Sequence, residues 1–185
     1  MTDKLKDYEV VLVSQSPRRR ELLSGLEISF IATSVDTDEN YPENLSGAQI
    51  PTYIAEQKAE AYKPLLKDKT IAITADTVVL CNDTVLGKPK SREDAIEMLH
   101  NLQGNTHKVI TAVCICTKNK SRSFHAISDV TFAPISDEEI THYIDRYQPF
   151  DKAGAYGVQE WIGFIGINKL VGSYYNVMGL PTHRL

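Results

Sequence analysis

Three consecutive cations, Arg18, Arg19 and Arg20, follow Ser14-Gln15-Ser16-Pro17 near the start of the chain. Ser16 is an N-cap residue by type, and Pro17 fits the first helical position. The arginines would therefore occupy the first turn of a helix, where the macrodipole is already positive and each cation costs on the order of 0.3–1 kcal/mol. A solvated charged face is the ordinary reading of such a run. The strand–turn–helix setting adds free backbone N–H groups and the hydroxyls of Ser14 and Ser16. Together these make an anion site, in which an incoming phosphate reverses the penalty.

Four further segments carry groups with chemistry. Asp76 interrupts the apolar run 71–80, where a carboxylate is costly unless paired or bound to a metal. Eleven residues on, Gly87-Lys88-Pro89 holds a lysine between a flexible and a rigid residue, by itself an ordinary turn signal. The acidic loop Asp36-Thr37-Asp38-Glu39 offers oxygen ligands of the kind Mg²⁺ or Mn²⁺ take together with substrate phosphates. Lys58 lies in a helical stretch, where a solvated lysine is the usual occupant. In residues 153–159 two glycines allow close backbone approach, and Gln159 offers a donor and an acceptor to a nucleobase edge. The chain has no P-loop, no G-x-G-x-x-G, no H-E-x-x-H and no G-x-S-x-G, and its five histidines lack metal-ligand spacing.

The elements that must position these groups follow from periodicity and caps. Residues 8–13 read as a buried strand, with a helix from Arg18 to Leu23 closed by Gly25 as its C′ residue. Residues 36–47 read as loop, and 48–63 as an amphipathic helix whose start is limited by Pro51. Strands are expected at 70–74 and 77–81, the latter pairing with 84–86 across Asn82-Asp83. Ser91 opens a helix in the style of a capping box, closed by Gly104, and Ser136 opens a second over 137–146. Residues 108–117 and 121–132 form a hairpin, and 158–171 supply one or two more strands. Strands alternate with helices but several neighbours are hairpins, so the class is α/β with a mixed sheet flanked by helices.

Composition bounds the function. The 185 residues fit one large domain or two small lobes with a shared core, taken as a single domain over 1–185. Twenty basic against 24 acidic residues give a net charge of −4, the wrong balance for a partner that is nucleic acid. No run approaches the roughly 18 apolar residues of a membrane span, and the start lacks a signal-peptide stretch. Cys81, Cys114 and Cys116 make no paired framework, as expected of core residues in a reduced cytosol. A soluble, cytoplasmic protein without a membrane partner is expected.

Taken in order, five segments resemble the signatures of the Maf family of nucleoside triphosphate pyrophosphatases over about residues 8–181. They are Ser14-x-Ser16-Pro17-Arg18-Arg19-x-Glu21-Leu22-Leu23, Ala75-Asp76-Thr77-Val78-Val79, Gly87-Lys88-Pro89, Gly154-x-Tyr156-Gly157-x-Gln159 and Gly172-Ser173-Tyr174-Tyr175-Asn176-Val177-x-Gly179-Leu180-Pro181. The resemblance implies a strongly twisted mixed sheet of the Maf and inosine-triphosphatase kind, two lobes around a cleft, a divalent metal and a homodimer. It also implies attack between the α and β phosphorus atoms, and preference for dTTP and UTP where Arg18, Thr77 and Gln159 stand.

Within that frame Arg19, Lys58 and Lys88 are assigned to the phosphates, with Ser14 and Ser16 on the same anion. Glu39 and Asp76 would hold Mg²⁺ or Mn²⁺, and Asp76 would be general base on the attacking water. Apolar surroundings would raise the Asp76 pKa while nearby cations lower it, and the sequence leaves that contest open. Uracil and thymine present an acceptor at position 4 where cytosine presents a donor. Arginine is donor-only and glutamine satisfies an adjacent donor and acceptor, which favours the keto pyrimidines. Two rival readings stay open, an inosine, xanthosine or modified-nucleotide triphosphate pyrophosphatase and a non-catalytic nucleotide sensor.

Overall fold

Residues 9–13 form β1 (Glu9–Val13) in a computed structural model that describes residues 5–185. The chain continues through α1 (Pro17–Ser24), β2 (Ile31–Thr33) and α2 (Gln49–Tyr62) to β3 (Thr70–Cys81), β4 (Thr84–Leu86) and α3 (Arg92–Leu102). It then forms β5 (Thr106–Cys116), β6 (Ser121–Phe132), α4 (Asp137–Tyr147), α5 (Trp161–Gly166), β7 (Ile167–Val171) and α6 (Tyr174–Met178). The strands join in one seven-stranded sheet of order β2-β1-β3-β5-β6-β7, with β4 also on β3. β1 runs parallel to β2 and β3, whereas β3–β4 and β6–β7 are antiparallel, so the sheet is mixed as expected.

The expected caps are present. Ser16 Oγ accepts the Arg19 N–H, and Ser91 Oγ accepts the Asp94 N–H. Ser136 and Glu139 form both halves of a capping box. At Ser91 only half of the box forms, because Asp94 accepts from the Lys90 N–H instead. Asn82 and Asp83 both take positive φ, +47° and +65°, as a tight β3–β4 hairpin requires and as these short polar residues tolerate.

Three expectations are corrected. The strands expected at 70–74 and 77–81 are one continuous strand, β3, because Asp76 finds a cationic partner and does not break the run. Residues 161–166 of the stretch read as strand are the short helix α5, and only Ile167–Val171 pairs with β6. At Gly163 a Cβ would lie 2.0 Å from the Val158 carbonyl oxygen, so that turn closes only around glycine. Gly25 ends α1 in right-handed conformation, φ −63°, and the left-handed position falls on Glu27.

The chain divides into two compact units. The first comprises the described residues up to Asp76, with Thr111–Ala126 and Gly179–Leu185. One of its buried clusters joins Val11 and Val13 of β1, Ala55 and Ala59 of α2, Leu66, Ala72 of β3 and Ala112, Cys114 and Cys116 of β5. The alanines let α2 approach the strands closely, which matters because α2 carries Lys58. All three cysteines are buried and form no disulfide.

The second unit is Thr77–Ile110 and Ile127–Met178. Here α3 packs on α4, and Phe132, Tyr156 and His107 form a cluster with ring centroids 5.1–5.6 Å apart. His107 is 1% exposed, and its Nε2 shares a 2.7 Å hydrogen bond with the Tyr156 hydroxyl, while Nδ1 has no partner among the described residues. Burial pushes the His107 imidazole down from its usual 6.5 to about 4, with Asp129 opposing the shift. Since the folded value lies below the unfolded one, protonation favours the unfolded chain. The stability contributed by neutral His107 is complete above pH 6.5 and is lost as pH falls from 6.5 towards 4. Urea unfolding at pH 7 and pH 4.5 should show the wild type losing roughly 2–3 kcal/mol more than His107→Gln. Equal losses in the two proteins would exclude His107 as the titrating group.

Candidate active site

The first unit brings Ser14, Ser16, Arg19, Glu39, Lys58 and Asp76 into one neighbourhood. The reason begins with two parallel strands. β1 and β3 pair in register as far as Leu12 and Ile73, and two residues beyond, Ser14 and Ala75 both meet the Arg19 side chain. Between β1 and α1 the backbone turns over its own hydroxyls: Ser14 Oγ accepts the Ser16 N–H at 3.2 Å, and Ser16 Oγ the Arg19 N–H at 3.4 Å. A hydroxyl accepting in this way can still donate its own proton to an oxyanion. The first turn of α1 contains no acidic residue to offset its arginines.

Asp76 is 9% exposed, and its Oδ1 accepts from Lys58 Nζ at 2.8 Å. The same ammonium lies 2.8 Å from Glu39 Oε1, in the loop between β2 and α2. One lysine thus draws together a carboxylate from a strand and one from a loop. The two ends differ, since the Asp76 and Lys58 side chains are 12% and 13% exposed and that of Glu39 is 45% exposed. The inner pair is the stronger, and the outer one is softened by solvent.

Arg19 is held more firmly than a surface phosphate ligand would be. Its Nε donates to the Gly179 carbonyl at 2.8 Å, and Nη1 to the Ala75 carbonyl at 2.9 Å and to Ser14 Oγ at 3.4 Å. Burial pushes its pKa down from the ordinary arginine value, and Asp76 opposes that shift. The sequence assigned Arg19 to phosphate alone. The structure adds a tie between α1, the middle of β3 and the Gly179 turn that sequence reading missed. Arg18, one residue earlier in α1, is half-buried.

The remaining sequence-identified residues belong to the second unit. Thr77 is partly buried and follows Asp76 along β3. Lys88 is exposed in the segment after β4, where the Gly87 carbonyl accepts the Gly154 N–H at 3.0 Å. Gly154 has φ +68°, and a Cβ there would lie 3.1 Å from a Val79 methyl, so the turn needs glycine. Gln159 is half-buried, with its Oε1 buried and without a partner among the described residues. Around Gln159 the structure also reveals Tyr143, Lys152 and Glu160, which sequence reading missed. The one signal available was that Lys152 and Glu160 bracket an otherwise uncharged stretch.

Among the described residues no group of three or more His, Cys, Asp or Glu gathers that could hold a metal ion. Glu39 and Asp76 nonetheless converge on a single positive charge, and both present hard oxygen donors. Such a pair suits Mg²⁺ or Mn²⁺, which take few protein carboxylates and complete their shell from phosphates and water. No helix among the described residues is long and apolar enough to cross a membrane.

A cationic helix start lined with hydroxyls, beside two carboxylates gathered on a lysine, has the charge and donors that a polyphosphate anion requires, on a mixed α/β sheet. The family profile described as Maf-like protein matches residues 9–185. A protein of Parabacteroides distasonis named dTTP/UTP pyrophosphatase is 54% identical over 186 residues, covering all of this chain and 96% of the relative. Proteins of the same name from Porphyromonas gingivalis and Bacteroides thetaiotaomicron are 55% and 51% identical, covering all of this chain and 94% and 96% of their own lengths. The chain belongs to the Maf family.

The geometry of Arg19 yields a stability test. Arg19→Ala removes charge-assisted bonds to two carbonyls and should lower the unfolding free energy by roughly 3 kcal/mol. Arg19→Lys, a point charge that cannot fork to both carbonyls, should recover less than half of that. Urea unfolding measures both. Wild-type stability in Arg19→Ala, with only activity lost, would make the side chain a phosphate ligand and nothing more.

Proposed function

We propose that this chain hydrolyses nucleoside triphosphates, dTTP and UTP by preference, to the nucleoside monophosphate and pyrophosphate. The observation that carries the chemistry is Lys58 Nζ at 2.8 Å from both Glu39 Oε1 and Asp76 Oδ1. It gathers a candidate base, a metal-compatible carboxylate pair and a phosphate-compatible cation at one point. Near-identical length and 51–55% identity to relatives named dTTP/UTP pyrophosphatase support the substrate class.

On this reading each residue takes a role that its chemistry allows. Lys58 holds the Asp76 carboxylate by Oδ1, which leaves Oδ2 as the oxygen to accept a proton from an attacking water. Arg19, Lys58 and Lys88 supply positive charge for the phosphates, and Ser14 and Ser16 donate to phosphate oxygens. Glu39 and Asp76 are the residues that would hold Mg²⁺ or Mn²⁺, which when bound neutralises phosphate charge. Arg18, Thr77 and Gln159 read the base. The buried Gln159 Oε1 is an acceptor in want of a donor, and the N3–H of uracil or thymine is one, whereas N3 of cytosine is itself an acceptor. On the same reading the chain acts as a single domain and a homodimer in the cytoplasm, with neither nucleic acid nor membrane as partner.

Pyrophosphate release from a panel of nucleoside triphosphates tests the assignment. dTTP and UTP should have the highest kcat/KM, activity should vanish in excess EDTA, and a higher kcat/KM for CTP or GTP than for both would defeat the base reading. Asp76→Asn, which keeps the shape and removes the base, should lower kcat by about 10²–10⁴ while nucleotide binding persists. Retention of more than about a tenth of wild-type kcat would reassign the proton acceptor.

A further inference from the structure

Gln159 is the last residue but one of the loop between α4 and α5, which contains two glycines and, at Ala155, a non-glycine residue with φ +58°. Nothing in such backbone by itself holds an amide side chain to one orientation. The structure supplies a brace from the same unit. Lys152 Nζ, in a side chain 9% exposed, lies 3.1 Å from Glu160 Oε1, so an ion pair joins two residues eight positions apart and closes the loop at its base. The other oxygen of Glu160 accepts the hydroxyl of Tyr143, which comes from α4 and is fully buried. That hydroxyl accepts the Gly157 N–H at 3.0 Å, in the middle of the loop. The Glu160 N–H returns to the Gly157 carbonyl at 3.0 Å. A Cβ on Gly157 would lie 2.8 Å from Glu160 Cδ and 3.1 Å from Gln159 Nε2, so both side chains lie against a backbone stripped for them.

The geometry points to Glu160 as a positioning residue for base selection: through Lys152 and Tyr143 it fixes the loop that aims the Gln159 amide. This inference rests on the proposed role of Gln159 toward the base. Glu160 is assigned no contact with substrate. Burial and the Glu160 carboxylate both raise the Tyr143 pKa, which keeps its hydroxyl a donor across the working pH range. The buried Lys152–Glu160 pair adds little net stability compared with an apolar pair of the same volume. Its place beside an unpartnered amide oxygen is explained by the orientation it imposes.

The test is Glu160→Gln, which keeps shape and an acceptor but ends the ion pair. The kcat/KM ratio of UTP to CTP should fall about tenfold, mostly through KM for UTP, with kcat for UTP within about twofold of wild type. Tyr143→Phe, which strands the Gly157 N–H, should move the ratio the same way and serves if Glu160→Gln does not fold. Gln159→Ala combined with Glu160→Gln should give the ratio of Gln159→Ala alone, because Glu160 acts only through Gln159. Additive losses, or equal losses for every nucleotide, would overturn the proposal and leave Glu160 a structural residue. A second readout needs no turnover: the side-chain amide resonances of Gln159 in ligand-free protein should move or average in Glu160→Gln. If they move while wild type shows no preference for UTP, the base reading fails and the positioning stands. If they stay fixed while wild type prefers UTP, the positioning fails alone.

Discussion

A carboxylate on a strand between apolar neighbours needs a counter-ion, and much of the first unit follows from how Asp76 gets one. Its partner Lys58 sits on α2, so the site exists only if α2 lies close over the strands. The alanines of α2 and β3 allow that approach, and Cys114 and Cys116 of β5 fill the space behind them. Removing one member of a buried pair strands the other charge, so packing and chemistry cannot drift independently here. Glu39 is the outer half of the arrangement. It comes from a loop and stays partly solvated, so its hold on the lysine is the looser of the two.

Two neighbouring arginines illustrate how one residue type divides its work. Arg19 is committed to main-chain carbonyls from distant parts of the sequence, so its charge is fixed in place as part of the frame. Arg18 lies one residue away on the same helix turn, about 100° around the axis, and faces different surroundings. A cation held rigidly in advance needs little reorganisation to meet an anion, which is the advantage of preorganised sites.

Local chemistry was readable from the sequence, and distant partnerships were not. Ser16, Ser91 and Ser136 announced their helices because a cap needs only the next three residues. The mixed sheet and the site residues Asp76, Lys58 and Glu39 were likewise legible as types, though nothing in their spacing said that one lysine would touch both acids. β3 was broken in two on paper because an acid in an apolar run looks like an ending. It is continuous because the counter-ion arrives from α2, a partner outside any local window. α5 was mistaken for strand since Trp161-Ile162 and Phe164-Ile165 fit either periodicity over so few residues. Glu160 gave only a faint sign, an acid eight residues after Lys152 with no charge between them, because its partners are a hydroxyl from α4 and a lysine across a loop.

The bond from Arg19 to the Gly179 carbonyl spans 160 positions of the chain. During synthesis at about 5–20 residues per second, Arg19 leaves the ribosome roughly 8–32 seconds before its acceptor does. For that interval the arginine-rich helix start is a cation without its frame, in a cell full of nucleotides and polyanions. The first unit is assembled from three separated stretches of sequence, so it closes only after Gly179–Leu185 have emerged. The frame around Arg19 is therefore complete only after a further 160 residues have been made.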